Sequence, residues 1–240
     1  MSGWLKGTGT MSRQVQLVSM SQPNSIITEQ YRVLFSKIEN LGRQTPHRIL
    51  AITSSVTGEG KTSTAVNLAI VMARDFNQRV LLIEADLKMP TFHTFLKEPV
   101  PFGFDHLLRE DPEVNTRAHS PVLVSFAHDN LTLLPVSEQS RDSSALFRPG
   151  RLEALLDRLK GDYDYVLLDS PPVLPMADIN RIAHVVDGII FVVAAGMTPI
   201  SLVKRAVSTI EVYQRKIVGT VLTQRDIIES KYFQGYHARD

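Results

Sequence analysis

Five side chains, Lys61, Thr62, Glu84, Asp86 and Asp169, have the types and spacing to handle a phosphoryl group and its counter-ion. Lys61 and Thr62 close the segment Ile49-Leu-Ala-Ile-Thr-Ser-Ser-Val-Thr-Gly-Glu-Gly-Lys-Thr-Ser63, where an apolar strand runs into a small-residue loop and then a helix. That is the setting of a P-loop. Its glycines let backbone N–H groups turn inward around a β-phosphate, and the helix start adds the positive end of its dipole. The lysine reaches the β/γ oxygens and the hydroxyl serves Mg²⁺. The expected nucleotide-binding set is Ser55, Thr57, Gly58, Glu59, Gly60, Lys61, Thr62 and Ser63, with Ser55 standing where the pattern normally opens on glycine.

Asp169 ends Tyr165-Val-Leu-Leu-Asp169-Ser-Pro-Pro and is the expected Walker B carboxylate, holding the metal directly or through water. A third segment, Val80-Leu-Leu-Ile-Glu84-Ala-Asp86, ends another strand with two acids two residues apart. Strand side chains at i and i+2 point the same way, so Glu84 and Asp86 are both expected to face the γ-phosphate. Two like charges there require a cation, and Mg²⁺ with Thr62, Asp86 and Asp169 as its ligands fits that need. The seven histidines show no metal-ligand spacing.

These residues need a frame. Short β-branched runs alternate with helical stretches: strands at 48–55, 79–86, 131–136, 165–169, 188–195 and 217–223, helices at 61–76, 104–109, 151–160 and 177–186. A last helix opens with Thr198 as its cap and Pro199 at its first position. Strands apolar on both faces and joined by crossover helices give an α/β fold, a single P-loop NTPase domain with a mostly parallel sheet and helices on both faces. Between Met89 and Asn130 only the short helix at 104–109 is legible.

Ahead of the first strand, Ile27, Tyr31, Leu34, Ile38 and Leu41 are spaced as one face of a helix over 26–41. That face serves its own domain or a partner helix. Residues 1–24, rich in Gly, Ser and Thr, are expected as a flexible tail, 25–225 as the nucleotide-binding domain and 226–240 as a second tail carrying Tyr232 and Tyr236.

Composition narrows the class. The 240 residues carry 26 basic and 25 acidic side chains, a net charge of +1 and 43% apolar residues, as in ordinary globular proteins, with no basic excess for nucleic acid. The absence of cysteine excludes disulfides, a thiol nucleophile and iron–sulfur clusters, and is compatible with a reducing cytoplasm. No run approaches the 18 apolar residues of a membrane span, the start lacks a signal-peptide core, and Ser2 excludes myristoylation. The expected location is cytoplasmic.

The P-loop Ser54-Ser-Val-Thr-Gly-Glu-Gly-Lys-Thr-Ser63, the second Walker motif (A-prime) Leu81-Leu-Ile-Glu-Ala-Asp-Leu-Lys-Met-Pro90 and Tyr163-Asp-Tyr-Val-Leu-Leu-Asp-Ser-Pro-Pro-Val173 together resemble the bacterial tyrosine kinases of polysaccharide export. Ala177-Asp178 and Val186-Asp-Gly-Ile-Ile-Phe-Val-Val193 extend the likeness, which runs from about Ser25 to Asp226. That family is a branch of the deviant P-loop ATPases that include the Min and Par proteins. The resemblance implies ATP- and Mg-dependent transfer of phosphate to tyrosines, here Tyr232 and Tyr236, on a neighbouring subunit of a homo-oligomer. Lys61, Glu84, Asp86 and Asp169 match the family's catalytic positions. It also implies a separate membrane-embedded polysaccharide copolymerase that recruits the chain to the inner face of the membrane, and a cognate tyrosine phosphatase.

Departures are specific. Glu84 replaces the usual first A-prime Asp, Lys88 the usual Arg, and Glu29-x-x-Arg32-x-x-Phe35 stands where relatives have a Glu-x-x-Arg-x-x-Arg subunit-contact motif. Two tyrosines replace a dense cluster, although the fifteen residues 226–240 could span roughly 50 Å when extended. Glu84 and the sparse tail define one alternative, an ATP-binding regulatory pseudokinase. A Min- or Par-type positioning ATPase is the other, and Val56 stands where those proteins carry an extra lysine.

Overall fold

A computed structural model of the chain describes residues 15–42, 48–96, 99–109, 123–140, 143–148, 150–212 and 217–224. Residues 1–14 and the segment with Tyr232 and Tyr236 lie outside them. In chain order the elements are α1 (Val18–Ser21), α2 (Ile26–Gly42), β1 (Ile49–Ser54), α3 (Lys61–Asp75), β2 (Val80–Glu84) and α4 (Phe104–Arg109). They continue with β3 (Val124–Phe126), β4 (His128–Leu134), α5 (Arg151–Leu159), β5 (Tyr165–Asp169), α6 (Asp178–Val185), β6 (Gly188–Ala194), α7 (Ile200–Glu211) and β7 (Ile217–Thr223).

The strands form one sheet in the order β3-β4-β2-β5-β1-β6-β7, parallel except for β3 against β4. β1, β2 and β6 are buried along their whole length, which is why they read as unbroken apolar runs. Alternate side chains feed two cores. Leu50, Ile52, Leu82, Leu167 and Ile190 pack with α2 and α3 on one face. Ala51, Leu81, Ile83, Leu168 and Phe191 pack with α4, α5, α6 and α7 on the other.

Two expectations change near the N-terminus. Residues 15–24 do not trail from the domain: Ser19 N donates to Asn67 Oδ1 at 2.6 Å, Asn67 Nδ2 donates to Gln16 O at 2.6 Å, and Arg74 Nη1 donates to Ser19 O at 2.6 Å. A side chain reading backbone polar groups leaves no apolar pattern in the segment it holds. The buried face of α2 is also rotated from the expected row, running through Thr28, Phe35 and Ile38, while Ile27 and Leu41 are exposed. Ser25 Oγ caps this helix, accepting from Thr28 N at 3.2 Å. Phe35 meets Phe76 and Tyr165 edge-on, with ring centroids 4.6 and 5.4 Å away. Arg32 lies at the surface, donating to Asp75, Glu29 and the Pro23 carbonyl. The residues at the subunit-contact motif are therefore satisfied within the chain.

Besides α4, the described residues of the stretch after Met89 hold a helical turn at Phe92–Thr94 and the three-residue β3, whose pairing with β4 is broken by a register shift between Ser125 and Phe126. Neither is long enough to impose a period on the sequence.

Candidate active site

Every functional candidate within the described residues sits at the carboxyl ends of the parallel strands, where such sheets open a crevice. β1 delivers the chain to Ser55, and the loop turns through Gly58 and Gly60, both at φ +88°, in the left-handed region that favours glycine. A Cβ on Gly60 would also meet Thr223 Cγ2 at 3.4 Å. α3 begins at Lys61, and Thr64 N bonds Gly60 O at 2.9 Å, so the first turn closes directly on the loop.

The structure brings Lys61, Thr62, Asp86 and Asp169 together. Lys61 Nζ lies 3.0 Å from Asp86 Oδ2, and Thr62 Oγ1 donates to Asp169 Oδ2 at 2.7 Å. Burial alone would lower the Lys61 pKa, but the Asp169 and Asp86 carboxylates outweigh it and raise it. Burial pushes Asp169 up to about 6, against the opposing pull of Lys61 and the Thr62 bond. Asp86 Oδ1 accepts from Met89 N at 3.1 Å, which fixes the turn after β2.

Glu84 is the correction. It does not stand beside Asp86 facing the crevice: its Oε1 accepts from Phe92 N at 2.7 Å and from Thr91 N, and its Oε2 accepts from Val136 N at 2.9 Å. The i, i+2 argument fails because β2 ends at Glu84, so Asp86 lies in the turn and strand parity no longer applies. Burial raises Glu84 to about 7 despite the three N–H donors. Its carboxylate ties the A-prime loop to the end of β4.

Three other expectations also shift. Glu59 has its side chain in protein contacts: Oε2 accepts from Val56 N at 2.7 Å, and Oε1 accepts from Thr198 Oγ1 at 2.6 Å and Ala194 N at 3.3 Å. Thr198 therefore does not cap α7. Pro199 occupies the cap position and the helix starts at Ile200. Ser63 Oγ accepts from Gln16 N at 3.2 Å, linking the N-terminal segment to the first turn of α3. Ser55 is buried with its hydroxyl unpartnered, and Thr57 lines the open side of the loop. An acid inside a glycine-rich loop was the one available signal for the Glu59 anchor. Nothing in the spacing marked Thr198 as its partner.

The residues fit a magnesium ion. Asp169 is 1% exposed and its Oδ1 has no hydrogen-bond partner, so an acceptor oxygen is held dry beside the Thr62 hydroxyl. Asp86 and Asp169 are both buried and act on Lys61, two carboxyl groups to one ammonium. Among the described residues there is no cluster of three or more His, Asp or Glu ligands. An open groove of about 2370 Å³ runs from Lys61, Thr62 and Asp86 past Met89 to α2 and β7. Among the described residues no helix is long and apolar enough to cross a membrane.

This fold and crevice define a P-loop nucleotide-binding protein. Residues 47–222 match the family described as AAA domain, and the chain belongs to that family. It is similar to the tyrosine-protein kinase YwqD of Bacillus subtilis (strain 168), 29% identical over 95% of this chain and 93% of that protein. The succinoglycan biosynthesis transport protein ExoP of Rhizobium meliloti (strain 1021) is 25% identical over 90% of this chain, which spans only 27% of ExoP. Among solved structures, the chimerical protein CapA2B2 superposes with a TM-score of 0.77 at 27% identity, covering 86% of this chain and 88% of that one. The septum site-determining protein MinD from Pyrococcus horikoshii OT3, complexed with Mg-ADP, shares the fold at 22% identity and a TM-score of 0.58, over 73% of this chain and 69% of its own.

Proposed function

We propose that this chain is a protein-tyrosine kinase that transfers the γ-phosphoryl of Mg·ATP to tyrosine hydroxyls, Tyr232 and Tyr236 among them, in the assembly of an exported polysaccharide. The observation that carries the reading is the cluster of Lys61, Thr62, Asp86 and Asp169 on one rim, with the lysine 3.0 Å from one carboxylate and the threonine hydroxyl 2.7 Å from the other. The similarity to YwqD and ExoP supports the acceptor and the pathway class.

In this reading the P-loop backbone and Lys61 hold the β- and γ-phosphates. Thr62 and Asp169 would hold Mg²⁺, which neutralises phosphate charge when bound. A phenol with a pKa near 10 is a weak nucleophile at neutral pH, so a carboxylate must take its proton. With Glu84 engaged by three backbone N–H groups, that base is Asp86. The phenolic oxygen forms a bond to the γ-phosphorus as the bond to the bridging β–γ oxygen breaks. ADP leaves with the electron pair, and the phenolic proton passes to Asp86.

A separate membrane-embedded copolymerase, recruitment of the chain to the inner face of the membrane, a homo-oligomer that presents one subunit's tail to another, and a cognate phosphatase complete the proposal. Its test is mass spectrometry of phosphatase-treated protein incubated with Mg·ATP, beside Lys61→Ala and Asp169→Ala. Phosphate on Tyr232 or Tyr236 in the unmutated chain alone is the expected result, and undiminished phosphotyrosine in either variant overturns the mechanism. The engagement of Glu84 favours one second reading, a nucleotide-binding regulator with little transferase activity. Clear MgADP binding with no phosphotyrosine would select it.

A further inference from the structure

The P-loop is clasped from one side by contacts that none of its usual duties explain. Glu59 is 1% exposed, yet it is a carboxylate in a loop that must receive anionic phosphates. Its two oxygens are both engaged within the protein. One takes the Val56 N–H of its own loop, and the other takes the Ala194 N–H at the end of β6 and the Thr198 hydroxyl from the turn between β6 and α7. The backbone repeats the pattern, since Thr223 Oγ1 donates to Glu59 O at 2.6 Å and Gln224 Nε2 donates to Gly58 O at 3.0 Å. Thus loop residues 56–59 are fixed to the carboxyl ends of β6 and β7, elements far from them in sequence.

From this geometry we propose that Glu59 is a positioning residue, a latch that holds the arch of the P-loop open on the β6–α7 turn through Thr198, so that the loop's remaining N–H groups are preset for phosphate. The inference rests on the reading of this loop as the Mg·ATP site. An anion pinned by an N–H of the same loop keeps that N–H from competing geometries, and its burial makes each of its bonds strong. Because the latch closes on Thr198, the position of the β6–α7 turn sets the affinity of the loop. The flanking Met197 and Ile200 are exposed, so this turn is reachable from outside.

The chemistry of the latch dictates its test. In Glu59→Gln the side-chain oxygen can still accept from Thr198 and Ala194, but the amide nitrogen then faces the Val56 N–H, donor against donor. Thr198→Val removes one donor while keeping the shape of the side chain and lies outside the nucleotide site. Titration calorimetry of the full chain with MgADP, beside thermal melts without nucleotide, is the experiment. Both variants are expected to weaken MgADP binding by about tenfold, the size of one lost hydrogen bond to a charged group. The double variant is expected to be no weaker than the worse single, because the two changes break one unit. An unchanged Kd in both single variants overturns the latch even if melting falls, since that is the mark of a purely structural acid. Fully additive losses overturn the coupling through Thr198. If the unmutated chain binds no MgADP, the P-loop reading itself fails and the latch falls with it, an outcome distinct from the other two.

Discussion

Thr62 Oγ1 donates to Asp169 Oδ2 at 2.7 Å, joining the first turn of α3 to the end of β5 and leaving Asp169 Oδ1 buried without a partner. A hydroxyl and a carboxylate so joined hold one another in place for a metal, and loss of either should show as metal dependence. In Thr62→Ala the Mg²⁺ concentration for half-maximal autophosphorylation is expected to rise about tenfold or more, as for other losses of groups that orient a ligand. Phosphate incorporation measured against Mg²⁺ checks this, and an unshifted curve would remove Thr62 from the metal site.

Asp86 faces Lys61 and has Oδ1 on Met89 N, so Asp86→Asn keeps an oxygen for Met89 N and removes the negative charge beside Lys61. As the proposed base, Asp86→Asn should lower the phosphorylation rate by about 10²- to 10⁴-fold while MgADP binding persists. Rapid-quench measurement at saturating Mg·ATP separates the two effects.

Glu84 invites the opposite test, because the A-prime motif that this segment resembles usually has aspartate there. Glu84→Asp shortens the side chain by one methylene, and a carboxylate that spans Phe92, Thr91 and Val136 cannot keep all three bonds from the shorter stem. Each buried N–H left unpaired costs about 1–3 kcal/mol, so the variant should melt earlier although it brings the residue closer to the A-prime motif. Thermal melting beside Glu84→Gln, which keeps the length, is the comparison. A Glu84→Asp variant at least as stable as the parent would mean that Glu84 is not a strut.

The parts of this molecule that could be read from sequence are those where one physical requirement governs several neighbouring residues. Tyr165–Asp169 is a strand to the residue, because a parallel strand packed on both faces must be apolar throughout, and Ile217–Thr223, a partly exposed edge strand, was legible from its β-branched run instead. The P-loop was legible because glycine, lysine and hydroxyl must follow a strand in a fixed order. Glu84 was misjudged because the end of β2 falls between it and Asp86, and strand ends are set by neighbouring strands rather than by local residues. Residues 15–21 gave no signal, since Asn67 and Arg74 hold them by their backbone. Glu59 carried a signal as an odd acid in an anion-binding loop, but its partners Thr198 and Ala194 are 139 and 135 residues away.

The position of Phe35 separates packing from assembly. It is 0% exposed between Phe76 and Tyr165, so Phe35→Ala opens a cavity under α2 and should destabilise the chain by about 3–5 kcal/mol. Phe35→Arg, which matches the last position of the Glu-x-x-Arg-x-x-Arg motif that this helix resembles, should be worse, because it buries a charge with no partner. Urea titration followed by circular dichroism tests both. If the arginine variant matched the parent in stability, the helix would have to present this side chain outward.

Asp75 supplies a pH test at the other end of α3, away from the nucleotide site. Its Oδ2 accepts from Arg32 Nε at 2.8 Å and its Oδ1 from Arg74 Nε at 2.6 Å, with Glu29 on the far side of Arg32. Burial pushes this carboxyl up, but the Arg74 and Arg32 guanidinium groups outweigh it and hold it below its ordinary 3.8. Folded Asp75 therefore stays ionised to a lower pH than the unfolded residue does. Its contribution is complete above the unfolded value and is lost as pH falls through the folded one. Because these bonds lie at the protein surface, the effect should stay within the range of exposed pairs, about 1 kcal/mol or less. Melting temperatures between pH 6 and 3 should fall less steeply in Asp75→Asn than in the parent, the two curves converging in acid. Parallel curves would show that the tie from Arg32 to Asp75 contributes nothing to the docking of α2 on α3.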